Sequence, residues 1–327
     1  MTVKSTTTTT TKVTYTIDPA NPQQATKKTE TKKVTVSSKP AETRKISQRL
    51  EDDGYVIIDG LVSDEELVTL RTAADRAVAK ARNDEWKLRR VVGVQFPPWG
   101  ETAEDVWGVQ HIMHPDLQEP DFAKWYGCDK LLDAVCEILG SKEEELQLEL
   151  FNMLINPEHK DFALEWHRDD VKPEVEAEEE IERLSIPHYG TQWNCALYDD
   201  ACLYIIPKSH YRIRTPEERD ININDPLSMN MPGAIAVELK AGQTVFYNNN
   251  IMHRAVYDKS KKRATLHGCM GTVLGGPHRA RNILQHGVAW MREERFKNTL
   301  PPRLYPLYDN LINLANQNEG KDLGFSQ

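Results

Sequence analysis

The residues of this chain that are best suited to chemistry are two histidines and one aspartate. His167 and Asp169 lie within Trp166-His167-Arg168-Asp169, and His253 follows far downstream. Side chains alternate faces along an extended backbone, so His167 and Asp169 point to the same side and can bind one metal ion. Two imidazoles and one carboxylate are the ligands of the facial triad that holds non-haem Fe(II) and leaves coordination positions open. Because His-x-Asp occurs often by chance, this interpretation depends on the surrounding sequence.

The composition indicates a globular protein with an acidic body. The chain has 327 residues, of which 39% are hydrophobic and 28% are charged, with a net charge of −9. Residues 1–45 hold 9 Lys or Arg against 3 Asp or Glu, and the remaining residues hold 32 against 47. An acidic body binds a phosphate backbone poorly, so we expect no nucleic-acid partner. No apolar run reaches the roughly 18 residues of a membrane span, so we expect no membrane association.

The five cysteines form an odd and scattered set without a C-x-x-C pair. This usage indicates reduced thiols and argues against a disulfide framework or a zinc ribbon. The N-terminus is polar from Thr2 onward, which predicts no secretory signal, and we therefore expect a cytoplasmic protein. The cysteines are Cys128, Cys136, Cys195, Cys202 and Cys269.

The first 45 residues differ in composition from the rest of the chain. Residues 6–11 are an unbroken threonine run, and Lys, Thr, Ser and Pro dominate the residues that follow. Because this stretch contains too little apolar material to offset the entropy cost of ordering, residues 1–45 are predicted to be a disordered Thr/Lys-rich tail. Residues 46–327 are expected to form a single domain.

Helices are predicted on both sides of the central region. Ser63, with a glutamate three residues later, matches a capping box. Apolar residues then recur at intervals of three and four, which predicts an amphipathic helix over 64–82. A second helix is predicted over 130–139, ending at Gly140. One or two further helices are predicted within 279–317, where they either pack on the central domain or provide the contact of a homodimer.

From residue 146 onward, short apolar runs alternate with turn residues. Many short strands without intervening helices predict an antiparallel barrel or jelly roll. Two segments leave alternatives open: the aromatic-rich segment 93–126 either walls a pocket or packs outside the sheet, and the acidic segment 171–183 is either a lid or a solvated surface excursion. The predicted strands are 146–155, 193–197, 203–206, 235–239, 244–247 and 264–273.

Taken together, these motifs resemble the phytanoyl-CoA dioxygenase-like family over about residues 46–273. The resemblance implies an Fe(II)- and 2-oxoglutarate-dependent oxygenase on a double-stranded β-helix, a mainly β, cupin-like jelly-roll barrel with flanking helices. The His-Arg-Asp-Asp sequence is especially similar to that of fungal members that modify secondary metabolites. The motifs, in the family's order, are Gly54-Tyr55-Val56-Ile57-Ile58 with the Ser63-capped helix, Trp166-His167-Arg168-Asp169, Ile206-Pro207-Lys208-Ser209-His210, and His253 with Arg263.

The resemblance implies roles for individual residues. His167, Asp169 and His253 would be the iron ligands, and Arg263, ten residues past the second histidine, would bind the distal carboxylate of 2-oxoglutarate. A guanidinium suits this role because it meets a carboxylate bidentately and stays charged. In an extended strand, Thr265 shares a face with Arg263 and can hydrogen-bond the same carboxylate.

Two further residues bear on the reaction. Trp193 stands where the family often places an aromatic residue near the co-substrate, although ordinary core packing is an equal alternative. Relatives that halogenate usually lack the carboxylate ligand, so the presence of Asp169 favours oxygen insertion or a related oxidation.

The predicted function is therefore an Fe(II)- and 2-oxoglutarate-dependent dioxygenase that consumes O2 and releases succinate and CO2, with ascorbate as an auxiliary reductant. The substrate is expected to be a small organic molecule, such as a secondary metabolite, that undergoes hydroxylation, desaturation, epoxidation or rearrangement. One alternative is a cupin-like metal dioxygenase or isomerase that does not use 2-oxoglutarate, against which Arg263 argues. The other is a catalytically inactive barrel that serves as a binding module. The retention of His167, Asp169, His253 and Arg263 argues against it.

Overall fold

The computed structural model of this chain describes residues 5–18, 21–37, 44–276, 279 and 289–317. The chain divides into two units, Met1–Lys45 and Ile46–Gln327. In the first unit, strands β1 (Ser5–Asp18) and β2 (Asn21–Ser37) pair antiparallel. A lone two-stranded ribbon is only marginally stable in water. The disorder of residues 1–45 therefore stays a prediction, as does the division into a tail and one domain.

The second unit begins with two helices around a short strand. These are α1 (Ile46–Asp53), β3 (Tyr55–Ile58) and α2 (Asp64–Arg82). The Ser63 hydroxyl accepts a hydrogen bond from the Glu66 backbone N–H, and the Glu66 carboxylate accepts one from the Ser63 N–H at 2.7 Å. The predicted capping box therefore fixes the start of α2 and satisfies two N–H groups of its first turn.

Helices cover one face of the large sheet at both ends of the unit. The first pair is α3 (Pro120–Tyr126) and α4 (Asp129–Leu139), and α4 ends at Gly140 with φ 60°, a left-handed conformation that glycine adopts without steric cost. Near the C-terminus lie α7 (Glu294–Thr299) and α8 (Tyr305–Gln317). The Asn310 amide on α8 donates to the backbone carbonyl of Leu146 at 2.8 Å, which ties this helix to the domain's own sheet.

The remaining elements form two antiparallel sheets. The seven-stranded sheet has the order β3-β11-β8-β13-β6-β5-β4, and the four-stranded sheet has the order β10-β9-β12-β7. Two helices, α5 and α6, lie in the connections. The bounds are β4 (Arg89–Val91), β5 (Val106–Val109), β6 (Leu146–Ile155), β7 (Phe162–Ala163), α5 (Ala177–Leu184), β8 (Gly190–Ala196), β9 (Leu203–Ile205), α6 (Pro216–Asn224), β10 (Ile235–Ala236), β11 (Thr244–Tyr247), β12 (His253–Tyr257) and β13 (Ala264–Thr272).

The two faces of the large sheet have different partners. Side chains such as Trp193 and Phe246 face the helices and join the main hydrophobic core. The alternate face meets the small sheet, where the Trp107 and Tyr257 rings lie 5.3 Å apart and the Tyr247 and His253 rings lie 5.4 Å apart. Period-two alternation therefore separates a helix-side core from an interior between the sheets, and polar side chains can gather in that interior.

The predicted fold class, mainly β with flanking helices, is confirmed. All six predicted strands are present, and the edges of four shift by one to three residues. The strands β4, β5, β7 and β12 were not predicted, because two to five residues are too few to show a clear period. Within the described residues, none of the helices combines the length and apolarity that a membrane crossing requires.

The packing between the sheet and its helices predicts that Gly268→Ala destabilises the protein. Gly268 lies on β13 between Trp193 and Phe151 of the neighbouring strands, and an added Cβ would lie 2.4 Å from Trp193 Cζ2 and 2.9 Å from Phe151 Cδ2. Overpacking of this kind costs about 1–3 kcal/mol. Urea unfolding measures the loss. Adding Trp193→Phe removes the clashing ring atoms, so the double variant should lose less than the sum of the single losses. Strict additivity would contradict this packing.

Candidate metal centre

Backbone pairing brings the predicted ligands together. The His167 N–H donates to the His253 carbonyl at 3.0 Å, and the His253 N–H donates back to the His167 carbonyl at 3.0 Å. The Asp169 N–H donates to the Asn249 carbonyl at 3.0 Å. The His-x-Asp segment is therefore extended and lies beside the start of β12, so that two ligands from one segment face the third on the next.

The three side chains converge on one small volume. Asp169 Oδ1 lies 3.7 Å from His167 Nε2 and 3.6 Å from His253 Nε2. One donor atom from each residue lies within 4.8 Å of the other two, and no other such group of three His, Cys, Asp or Glu residues occurs in the part of the chain that the structure describes. These separations suit three ligands on one face of an octahedral ion.

Backbone carbonyls fix the orientation of both imidazoles. His167 Nδ1 lies 2.7 Å from the Glu165 carbonyl, and His253 Nδ1 lies 2.8 Å from the Ile251 carbonyl. A carbonyl can only accept, so each Nδ1 carries the proton and each Nε2 keeps a lone pair. This is the arrangement that orients metal-binding histidines in proteins. Burial, followed by the proximity of His167, lowers the pKa of His253 well below its usual value, which keeps that imidazole neutral.

Gln192 orients the carboxylate. Its amide Nε2 donates to Asp169 Oδ2 at 2.7 Å, which leaves Oδ1 facing the two histidines. Burial raises the pKa of Asp169, while His167 and the Gln192 hydrogen bond oppose that rise. The Asp169 side chain stays 31% exposed, so an ion can reach it. A bound cation would favour the carboxylate form strongly. The sequence analysis did not identify Gln192, because glutamine carries no spacing signal.

Arg263 and Thr265 lie on the interior face, and both contact an aspartate. Arg263 Nε donates to Asp200 Oδ2 at 3.1 Å, and the Thr265 hydroxyl donates to the same oxygen at 3.1 Å. The guanidinium carbon lies 4.9 Å from the centre of the Tyr257 ring. Arg263 Nη1 is buried and lacks a hydrogen-bond partner. Arg263 and Thr265 therefore share a face, as predicted, and their common partner is Asp200, which the sequence analysis did not single out and which balances part of the charge of Arg263.

A second interior arginine was missed by the sequence analysis. Arg90 is 8% exposed, and its guanidinium carbon lies 5.2 Å from the Trp107 ring centre and 5.7 Å from that of Phe96. Its Nε is buried without a hydrogen-bond partner, and no ion pair to Arg90 is found among the described residues. Burial lowers the pKa of Arg90 to about 10. The aromatic segment 93–126 thus contributes Trp107 to the interior, whereas Phe96 is 37% exposed and Phe122 and Trp125 belong to the helix-side core.

Trp193 lies on the opposite side of the sheet from the triad. It is fully buried in the helix-side core, with ring centres 5.8 Å from Phe246 and 5.7 Å from Tyr126. Its neighbour Gln192 points to Asp169, and adjacent residues of a strand face opposite ways. The structure therefore favours the core alternative for Trp193, and we do not include this residue in the site.

An antiparallel two-sheet fold that carries His-x-Asp and a distant histidine in its interior defines a mononuclear non-haem iron oxygenase. Residues 50–265 match the family model of phytanoyl-CoA dioxygenase (PhyH), which is more than half of the chain. The chain belongs to this family. It is an Fe(II)- and 2-oxoglutarate-dependent dioxygenase, as the resemblance predicted.

Individual relatives are distant. The ectoine dioxygenase of Bordetella bronchiseptica is 24% identical over 229 residues, which cover 63% of this chain and 67% of that protein. The crystal structure of EctD from S. alaskensis with 2-oxoglutarate and 5-hydroxyectoine is 18% identical with a TM-score of 0.50, covering 70% of this chain and 75% of that one. EctD with bound Fe is 17% identical with a TM-score of 0.50 and covers 82% and 86%. These structures share the fold.

The buried histidines predict a loss of stability in acid. Burial lowers the pKa of His188 and of His267 to about 3, and nearby arginines act in the same direction. Below about pH 6.5 the unfolded histidines bind protons that the folded ones refuse, so stability falls as the pH drops from about 6.5 toward 3. Each contributes up to about 1.4 kcal/mol per pH unit.

Urea unfolding of the metal-free protein between pH 7.5 and 5.5 measures this slope. His267→Gln should flatten it, and His159→Gln, at an exposed position, should leave it unchanged. Equal slopes in the wild type and His267→Gln would contradict the assignment of His267 as a neutral buried group.

Proposed function

We propose that His167, Asp169 and His253 hold Fe(II) and that the chain oxidises a small organic molecule with 2-oxoglutarate as co-substrate. The observation that carries this proposal is the set of three lone pairs, two Nε2 and one Oδ1, that converge on one point. Each ligand is oriented by a hydrogen bond through its other polar atom. The residues therefore fit the metal without rearrangement of their tautomers or carboxylate.

The protein's own contribution is coordination, orientation and exclusion of water. When bound, the iron supplies oxygen activation for the oxidation of an unreactive C–H bond, with 2-oxoglutarate leaving as succinate and CO2. His253 stays neutral through burial and is available as a ligand at neutral pH. Gln192 holds Asp169 Oδ2, so the carboxylate presents one oxygen to the ion and leaves further positions free.

The interior arginines support a site for the co-substrate carboxylates. Arg263 is partly balanced by Asp200 but keeps Nη1 free, and Thr265 lies beside it. Arg90 has no anionic partner among the described residues and supplies the second positive charge. A buried guanidinium is costly when unpaired, and a carboxylate can bind it bidentately. A dianionic keto acid therefore suits this interior better than a neutral ligand does.

The substrate is a small organic molecule of moderate polarity, with a secondary metabolite as our preferred class. Support comes from the aromatic side chains of the interior, among them Trp107, Phe162 and Tyr257, whose rings lie within 5.4 Å of one another. The acidic body disfavours a CoA ester, whose phosphates would be repelled. The unpaired charge of Arg90 argues against a cupin-like enzyme independent of 2-oxoglutarate, and the convergence of three potential metal ligands argues against an inactive binding module.

The proposal extends to the compartment and the assembly of the protein. The five cysteines are free thiols, as expected of a reducing compartment such as the cytoplasm. A homodimer through the C-terminal helices remains our proposal for the assembly. Ascorbate is proposed as an auxiliary reductant.

Asp169→Ala should abolish metal binding and turnover. The carboxylate supplies one of three protein ligands, and alanine offers no replacement. Anaerobic addition of Fe(II) and 2-oxoglutarate to the wild type should give the weak visible charge-transfer band of such complexes, and the variant should give none. Glu165→Gln is the matched control, because its side chain is exposed and only its backbone carbonyl contacts His167. A band and succinate formation in Asp169→Ala would contradict the proposal.

Arg90→Met should weaken 2-oxoglutarate binding about ten- to a hundredfold, the range expected for loss of a charge-assisted hydrogen bond of 1.5–3 kcal/mol. Arg263→Met should weaken it as well. Only Arg263→Met should also lower the melting temperature, because it leaves Asp200 buried without its partner. Titration of the visible band measures affinity. Lys262→Met is the control, since this lysine is exposed and pairs with Asp75. Unchanged affinity in Arg90→Met would remove Arg90 from the site.

A further inference from the structure

The acidic insertion that follows the His-x-Asp segment contains one buried carboxylate. Five of its six glutamates are exposed, and Glu180 on α5 is fully buried. Glu180 accepts hydrogen bonds from Arg168 Nε at 3.1 Å, Arg214 Nη1 at 2.6 Å and Arg219 Nη2 at 2.7 Å. A buried carboxylate that satisfies three arginines is a built structural centre, unlike the solvated charges around it.

Arg168 connects this centre to both segments that carry ligands. It lies between His167 and Asp169 in sequence, so its side chain points away from the ligand face. Its Nη1 donates to the backbone carbonyls of Ser209 and of Asn250, in the turn that leads to His253. The guanidinium thus binds its own segment to the one beside it, and Glu180 holds that guanidinium through Nε.

The other two arginines fix the insertion itself. Arg214 donates to the Val171 carbonyl at 2.9 Å, and Arg219 donates to the Pro173 carbonyl at 3.2 Å. Arg214 also bonds Asn222, whose amide donates to the carbonyl of Trp166, the residue before the first ligand. These bonds hold the insertion at several backbone positions, which is the property of a fixed wall and not of a hinged lid.

The charges of the cluster depend on Glu180. Arg168 and Arg214 both bond Glu180 Oε1, at 3.1 Å and 2.6 Å. Arg219 approaches the same carboxylate. Without the negative charge, three guanidinium groups would repel one another directly behind the ligand segment.

We propose that Glu180 is a positioning residue for the metal centre, which acts by holding Arg168 and so fixes the two ligand-bearing segments relative to each other. The acidic insertion then supports the segments that carry the ligands. This inference rests on the proposed function, because it takes His167, Asp169 and His253 as metal ligands.

Co(II) titration of the metal-free full-length protein tests the inference. Glu180→Gln keeps the size of the side chain and removes its charge. It should weaken Co(II) binding by up to about 10-fold, the lower end of the range seen when a ligand loses its own hydrogen-bond partner, because Glu180 acts on the ligands only through Arg168. The visible absorption of the bound Co(II) should change as well, because the coordination geometry is less well fixed. Glu179→Gln is the matched control on the same helix, since Glu179 is exposed and bonds Arg183.

The outcomes separate positioning from simple structural support. A lower melting temperature with the wild-type Co(II) affinity and spectrum, measured well below melting, would overturn the inference and leave the proposed function intact. No Co(II) binding by the wild type would overturn both. If Glu180→Gln does not fold, Glu180→Asp replaces it, because it keeps the negative charge and shortens the reach toward Arg168 Nε by one methylene. A Glu180→Asp affinity and spectrum equal to those of Glu179→Gln would then overturn the inference.

Discussion

The two reciprocal hydrogen bonds between the backbones of His167 and His253 are the constraint on which the site depends. They place the ends of two distant segments side by side, so that one imidazole comes from each. Because the same segment is extended, Asp169 is carried to the same face two residues later. The hydrogen bonds that the ligand side chains make with the backbone carbonyls of Glu165 and Ile251 and with the Gln192 amide then only need to choose tautomers and rotamers. Coordination geometry is thus set mainly by strand pairing, and the neighbours of the two histidines, Trp166 and Met252, pack into one buried cluster with Ile206 and Met231.

The interior between the sheets shows how charge is distributed around such a site. Arg263 has a neutralising partner in Asp200, whereas Arg90 has aromatic neighbours and no described anion. An unpaired buried guanidinium costs free energy in the folded protein and is retained where a ligand supplies the missing charge. The low dielectric that makes Arg90 costly also strengthens its attraction for a carboxylate. This is why the two arginines, which look alike in the sequence, are expected to differ in what their replacement does to stability.

Local patterns in the sequence predicted the His167-x-Asp169 pair, the shared face of Arg263 and Thr265, the capped helix and most strands, because each depends on neighbours within a few residues. The roles of His253 and Arg263 were implied only by the order of motifs in the family. Gln192, Asp200 and Arg90 were missed for the opposite reason. Gln192 and Asp200 are identified by partners that lie far away in the chain, and Arg90 is identified by the absence of an ionic partner among the described residues. No periodicity in the sequence indicates such a feature. Trp193 shows that the resemblance alone could not place a side chain. The strand that carries it was predicted, but its start at Gly190 was not. Pairing with β11 and β13 sets the alternation that turns Gln192 toward the triad and Trp193 away from it.

The acidic insertion shows most clearly why composition alone misleads. Its run of glutamates is typical of a solvated excursion, and five of the six are solvated. The sixth is enclosed by arginines from two other parts of the chain, and a single buried carboxylate of this kind changes the mechanical character of the whole segment. A buried polar network that lacks some of its hydrogen bonds is less stable than an apolar core. The arginines and Glu180 therefore constrain one another strongly, because each supplies the partner that the others need. Because Arg168 lies between His167 and Asp169, our proposal couples the rigidity of the insertion to that of the metal centre.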